Sequence, residues 1–137
     1  MHIFEKLPSR LEMIPPLVQA VIEKLEKSGL SKEKLFDVKL CLDEALVNAV
    51  KHGNKFSPEH HVEVEAEITG DSLIIQVRDR GQGFDYTKIP NPTEKSNLEK
   101  NHGRGVFLIK TLMDKVEHFD SGRTIKMVKF IKNGGKK

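Results

Sequence analysis

Cysteine is nearly absent. The chain has one, Cys41, which excludes an internal disulfide framework and a multi-cysteine zinc site and fits a reducing cytosol. Long apolar runs are absent too: none approaches the roughly 18 residues of a membrane-spanning helix, and the N-terminus has no apolar core of a secretory signal. Charge of one sign is in little excess, with 23 Lys and Arg against 20 Asp and Glu for a net +3. That balance does not mark a nucleic-acid binder. Part of the excess sits in Asn133-Gly134-Gly135-Lys136-Lys137, which reads as a frayed tail. There is no internal repeat and no low-complexity segment. What is present is 137 residues, 37% hydrophobic and 31% charged. Such a chain can form one domain burying roughly 68% of its unfolded surface without a staple. The expectation is a soluble cytoplasmic domain over 1–132 with a flexible tail over 133–137, touching neither membrane nor nucleic acid directly.

The periodicity changes along the chain. Met1 to Leu7 reads as a short edge strand before Pro8, and Ser9 as a helix N-cap. Leu11, Ile14, Leu17, Val18, Val21, Ile22 and Leu25 recur at helical spacing over 11–27. Pro15 and Pro16 mark either the start of that helix or a bent first turn, and Gly29 ends it. Ser31 caps a second helix running to about His52, with Gly53 as its stop and Leu35, Val38, Leu42, Ala45, Leu46 and Ala49 as its apolar stripe. The period then falls to two. Val62, Val64, Ala66 and Ile68 alternate with Glu63, Glu65 and Glu67, a half-buried antiparallel strand. Thr69-Gly70-Asp71 turns the chain into a second strand with Leu73, Ile75 and Val77 inward.

From Arg80 to about His102 no period holds, and a connection that long is either a functional lid or disordered. A helix over about Gly105 to Asp114 follows, with Val106, Phe107, Ile109 and Leu112 as core. A hairpin then turns at Asp120-Ser121-Gly122, between Val116 to Phe119 and Arg123 to Lys132. Strands and helices do not alternate strictly. The expected class is α+β, a two-layer sandwich of a mixed, mostly antiparallel sheet with helices on one face.

Three elements could carry chemistry. On the second helix, Glu44 and Asn48 lie about 40° apart, with Lys51 and His52 in the same sector at the margin of the apolar stripe. Taken alone, such a pair is an ordinary polar helix edge. On the second strand, Asp79 shares the parity of Leu73, Ile75 and Val77, so it faces the buried side. A carboxylate there must find donors: it caps the following turn, or it accepts from a ligand's amino group. Gly81 and Gly83 follow it directly and permit close backbone approach. The third element is His102-Gly103-Arg104-Gly105-Val106, a glycine-rich turn opening a helix, whose N-terminus suits phosphates. It matches neither the P-loop nor the dinucleotide-binding spacing. Together the three suit one ligand: carboxylate for an adenine amino group, glycines and helix N-terminus for phosphates, Glu and Asn for a general base and a Mg²⁺ ligand. Cys41 reads as a small, partly buried residue rather than a nucleophile, and His60-His61 as surface rather than metal site.

Glu44-x-x-x-Asn48 resembles the N box of the GHKL (Bergerat-fold) ATPases, Asp79-x-Gly81-x-Gly83 their first glycine box and Gly103-x-Gly105 their second. Asp43-Glu44-Ala45-Leu46-Val47-Asn48-Ala49-Val50-Lys51-His52-Gly53 closely resembles the anti-sigma factor serine/threonine kinases, which act in bacterial partner switching. Gly103-Arg104-Gly105-Val106-Phe107-Leu108-Ile109, followed by Met113-Asp114, resembles them as well. The resemblance spans essentially the whole chain. It implies ATP and Mg²⁺ as cofactors, Glu44 polarising the hydroxyl of a protein serine, Asn48 binding the metal, and Asp79 accepting from adenine beside Gly81 and Gly83.

By the same resemblance 86–102 is an ATP lid, Gly103 to Val106 meet the phosphates, and Lys51, His52, His102 and Arg104 help. Where relatives often carry an adenine-side threonine this chain has Arg123, and Thr124 follows with opposite parity; Thr124 is the adenine-side candidate kept here. Where some kinases carry a phosphate-directed arginine it has Asn101, with Arg104 between the glycines, so the γ-phosphate contact stays open. The implied partners are a sigma factor and an anti-anti-sigma protein of the STAS type, and family members commonly form homodimers. The rival readings are a non-catalytic ATP-dependent module that sequesters a regulatory partner, and a stand-alone ATPase domain related to histidine kinases.

Overall fold

The structure is a computed structural model that describes residues 1–81 and 101–132. Gly83, most of the expected lid and the expected tail lie outside these residues. The alternating segments pair as expected. Strands β1 (His2–Pro8), β2 (His61–Thr69), β3 (Ser72–Arg78), β4 (Lys115–Phe119) and β5 (Thr124–Phe130) form one sheet in the order β1-β2-β3-β5-β4. Every pairing is antiparallel, so the expected mixed character is absent among the described residues. The register Val64↔Val77, Ala66↔Ile75 and Ile68↔Leu73 puts one apolar set on one face, and Glu63↔Arg78 and Glu65↔Gln76 put polar pairs on the other. At the β4–β5 hairpin Asp120, Ser121 and Gly122 all take positive φ, the left-handed backbone that such turn residues tolerate.

Helices α1 (Ile14–Leu25), α2 (Lys32–Asn48) and α3 (Asn101–Leu112) cover the apolar face. Both readings of the proline pair hold, because a 3₁₀ turn at Leu11–Met13 precedes α1 and the prolines occupy its first positions. Ser31 caps α2 by accepting from the Lys34 N–H at 3.1 Å. The core is built from Val38, Leu42 and Leu46 of α2, Val21 and Leu25 of α1, and the inward strand residues. No helix among the described residues is long and apolar enough to cross a membrane.

Several expectations fail for tertiary reasons. Ser9 is no N-cap: its hydroxyl donates to the His60 carbonyl at 2.6 Å and accepts from Asn54 Nδ2 at 3.0 Å, so it ties β1 to the entrance of β2. Leu11 is exposed, because the 3₁₀ turn rotates it off the α1 stripe. The second helix ends at Gly53 as expected, but its last turn is not α-helical. Ala49–Gly53 form a π-turn closed by the Asn54 N–H on the Ala49 carbonyl at 2.7 Å. α3 begins at Asn101 and ends at Leu112, so Gly103 and Gly105 lie within helix rather than in a turn before it. Phe107 is 50% exposed, not core. Ile109 holds the buried position, and Phe107 is turned about 160° away from it at 100° per residue.

One buried cation escaped the period-two reading. Lys129 pairs with Leu73 in register and is buried on the helix side. Its Nζ donates to Asp37 of α2 at 3.2 Å and to the Leu112 carbonyl at 2.5 Å. It therefore caps the C-terminus of α3 and pins that helix to α2, where a cation suits both a carboxylate and a helix end.

Candidate functional site

Helix α2 builds the floor of the site. Glu44 is half-buried and Asn48 is buried one turn on, as the helical spacing predicts. The π-turn carries Lys51 and His52 round to the same side. All four line one open hollow of about 490 Å³, closed by Val47, Gly105 and Leu108. Gly105 comes from α3, which packs across α2. A Cβ on Gly105 would strike the Glu44 carboxylate at Oε2 and stand 3.3 Å from Asn48 Nδ2. The missing side chain thus lets α3 pack directly against the carboxylate and the amide. An amide and a neighbouring carboxylate on one open hollow are ligand types that could hold a small hard cation.

Asp79 builds the second wall. It lies just past β3, buried at 9% exposure, with its backbone N–H on the Arg123 carbonyl at 2.9 Å. Its Oδ1 accepts from the Gly81 N–H at 2.8 Å, so the turn-cap role and the inward carboxylate coexist. Burial raises its pKa above the usual carboxylate value, opposed by the Gly81 hydrogen bond and the Arg123 charge. Two glycines make the approach: a Cβ on Gly53 would overlap the Asp79 carboxylate, and one on Gly81 would overlap the Gly53 carbonyl. A small cavity lies here, lined by Ala45, Asn48, Ala49, Val77, Asp79, Gly122, Arg123 and Ile125. Asn48 lines both this cavity and the open hollow, so the two meet along α2.

Two contributors are hard to see in sequence. Asn54 is buried; its Oδ1 accepts from the Arg80 N–H at 2.6 Å, and its Nδ2 reaches Ser9. It locks the end of β3 to the π-turn. Its signal is only that a polar residue follows the helix-ending glycine. Arg123 is the other: its Nε donates to the Gly81 carbonyl at 2.6 Å.

Thr124 pairs with Arg78, on the sheet face opposite Val77 and Ile125, and does not line the cavity beside Asp79. His102, Gly103, Arg104 and Val106 fall in α3. A helix leaves its first four N–H groups unbonded, so that of Gly105, the fifth residue, is inside the helical ladder. Cys41 is fully buried, and burial pushes its thiol up to about 12, which keeps it protonated at neutral pH. His60 and His61 line a separate open hollow with Lys6, Glu59, Glu63 and Arg80.

Residues 7–130 match the family described as Histidine kinase-like ATPase domain. A protein named Serine-protein kinase RsbW from Staphylococcus epidermidis is 32% identical over an aligned length of 139 that covers 96% of this chain and 87% of that protein. One of the same name from Listeria innocua is 34% identical over 112 residues, covering 77% of this chain and 71% of its own length.

Proposed function

This chain belongs to the family of histidine kinase-like ATPase domains that includes the RsbW serine-protein kinases, and from that premise we propose that it is an ATP-dependent protein serine kinase and anti-sigma factor. Its substrate is a serine of an anti-anti-sigma partner of the STAS type, its second ligand a sigma factor, and it works in the cytoplasm as a homodimer. The observation that carries the reading is the meeting of α2 and α3, where Glu44, Asn48 and Gly105 line one hollow and Gly105 has no side chain to displace the Glu44 carboxylate.

Asp79, on the wall of the small cavity, accepts from the adenine amino group, and Gly53 and Gly81 let the turn pack against its carboxylate. Lys51 and His52 face the phosphates from the rim of the hollow. Asn48 would hold Mg²⁺, which when bound would supply charge neutralisation for the phosphoryl group. Glu44 takes the proton from the serine hydroxyl as its oxygen bonds to the γ-phosphorus, and ADP leaves with the electrons of the broken bond. Little covalent chemistry falls to the protein, so positioning dominates.

The test is incubation of the protein with ATP, Mg²⁺ and the partner encoded beside it, read by mass spectrometry. One phosphoserine on the partner is expected. A partner that binds with ATP and stays unmodified would leave only an ATP-dependent sequestering module. In the same experiment Asn48→Ala is expected to bind ATP equally well with and without Mg²⁺, by calorimetric titration. Equal tightening by Mg²⁺ in parent and variant would remove Asn48 as the metal ligand.

A further inference from the structure

We infer that Arg123 is a positioning residue for base recognition, because its guanidinium holds Gly81 and through Gly81 the carboxylate of Asp79. The inference rests on the adenine reading of Asp79 given above. The linkage is continuous. Arg123 Nε donates to the Gly81 carbonyl at 2.6 Å, and the N–H of the same Gly81 donates to Asp79 Oδ1 at 2.8 Å. Arg123 is itself fixed at its other end, with Nη1 donating to the Asp120 carbonyl at 3.1 Å within the β4–β5 turn. Its backbone carbonyl accepts from the Asp79 N–H at 2.9 Å. One residue of the hairpin therefore grips both ends of the three-residue segment that carries the carboxylate.

The opposite side of that segment is held by Asn54, which accepts from the Arg80 N–H at 2.6 Å. Gly81 rests against the Gly53 carbonyl with no room for a side chain. Arg123 also lines the small cavity beside Asp79. A charge-assisted hydrogen bond of this kind is stronger than a neutral one. Loss of the guanidinium frees Gly81 to shift, and a shift of Gly81 moves the carboxylate that its N–H anchors. A hydrogen bond to a base tolerates little such movement.

Two effects of Arg123 must be told apart, since a cation near a nucleotide also attracts phosphate. The comparison of ATP with inosine triphosphate separates them. The two share the triphosphate, but inosine presents a carbonyl where adenine presents an amino group and an N1–H where adenine has a bare nitrogen, so a carboxylate fixed opposite the amino group meets a donor on adenine and an acceptor on inosine. Calorimetric titration of parent, Arg123→Met and Arg123→Lys with both nucleotides reads the ratio of affinities. The parent is expected to prefer ATP by tenfold or more. Arg123→Met is expected to lose about tenfold in ATP affinity and most of that preference. Arg123→Lys restores the charge without the fixed fork, so inosine triphosphate affinity returns towards that of the parent while the preference stays reduced.

A global structural role would move thermal stability and leave the ratio alone. Folded Met and Lys variants with the parent's ratio would overturn the inference. Should the Met variant fail to fold, the Lys variant alone decides by the same ratio. A parent that binds both nucleotides equally would instead overturn the adenine reading of Asp79, and this inference with it.

Discussion

The Glu44→Gln variant is expected to bind ATP as tightly as the parent and to transfer phosphate about 10²- to 10⁴-fold more slowly, the usual worth of a positioned general base. Gln keeps the size and the hydrogen-bonding reach of Glu and removes its basicity. Packing supports a clean substitution: Glu44 is half-buried on a helix whose core contacts are made by Leu42, Ala45 and Leu46. Single-turnover transfer to the partner, followed by mass spectrometry, measures the rate, and calorimetry measures the affinity. A transfer rate within threefold of the parent would move the base role to another residue. The companion substitution Gly105→Ala attacks the same place by volume. A methyl there collides with the Glu44 carboxylate, so the carboxylate or α3 must shift, and transfer is expected to fall even though no reacting group has been removed.

Asp79→Asn is expected to lower ATP and ADP affinity alike by about ten- to 150-fold, the equivalent of one charge-assisted hydrogen bond, and to do so without loss of fold. The amide oxygen of Asn can still accept from the Gly81 N–H, which preserves the turn. Stability should respond in the opposite direction to affinity. In the unfolded chain the carboxyl ionises near its ordinary value of 3.8, and burial raises that value in the fold. Between the two values the folded protein keeps a proton that the unfolded chain has lost, so this group makes stability fall as pH rises through that window. Above it, the ionised carboxylate is a standing cost of folding.

The nucleotide-free Asn variant is therefore expected to match or exceed the parent in thermal stability at neutral pH. The advantage should shrink as pH falls through the window. A folded Asn variant with parental ATP affinity would sink the adenine assignment. A variant less stable than the parent at neutral pH would show that the Gly81 contact outweighs the burial of charge.

Much of the architecture was legible in the sequence because it follows from local periods. The alternation from Val62 to Ile68 specified both a strand and its inward face. The same parity carried forward from Leu73 put Asp79 inward, and the helical spacing put Asn48 one turn beyond Glu44. Ser31 as a cap and Asp120-Ser121-Gly122 as a turn also rest on residues a few positions apart. Such features depend on backbone geometry that repeats every two or 3.6 residues. Only the tertiary structure decided the rest. Gly105 reaches Glu44 across the α2–α3 crossing, Gly53 meets Asp79 across the helix–sheet gap, and Arg123 clasps Gly81 between two turns. Phe107, apolar and expected inside, faces outward because α3 can bury only one side against α2. Lys129, though charged, is drawn inward by Asp37 and the end of α3. Each of these outcomes is set by which distant surfaces come into contact, and no local period encodes how two elements cross.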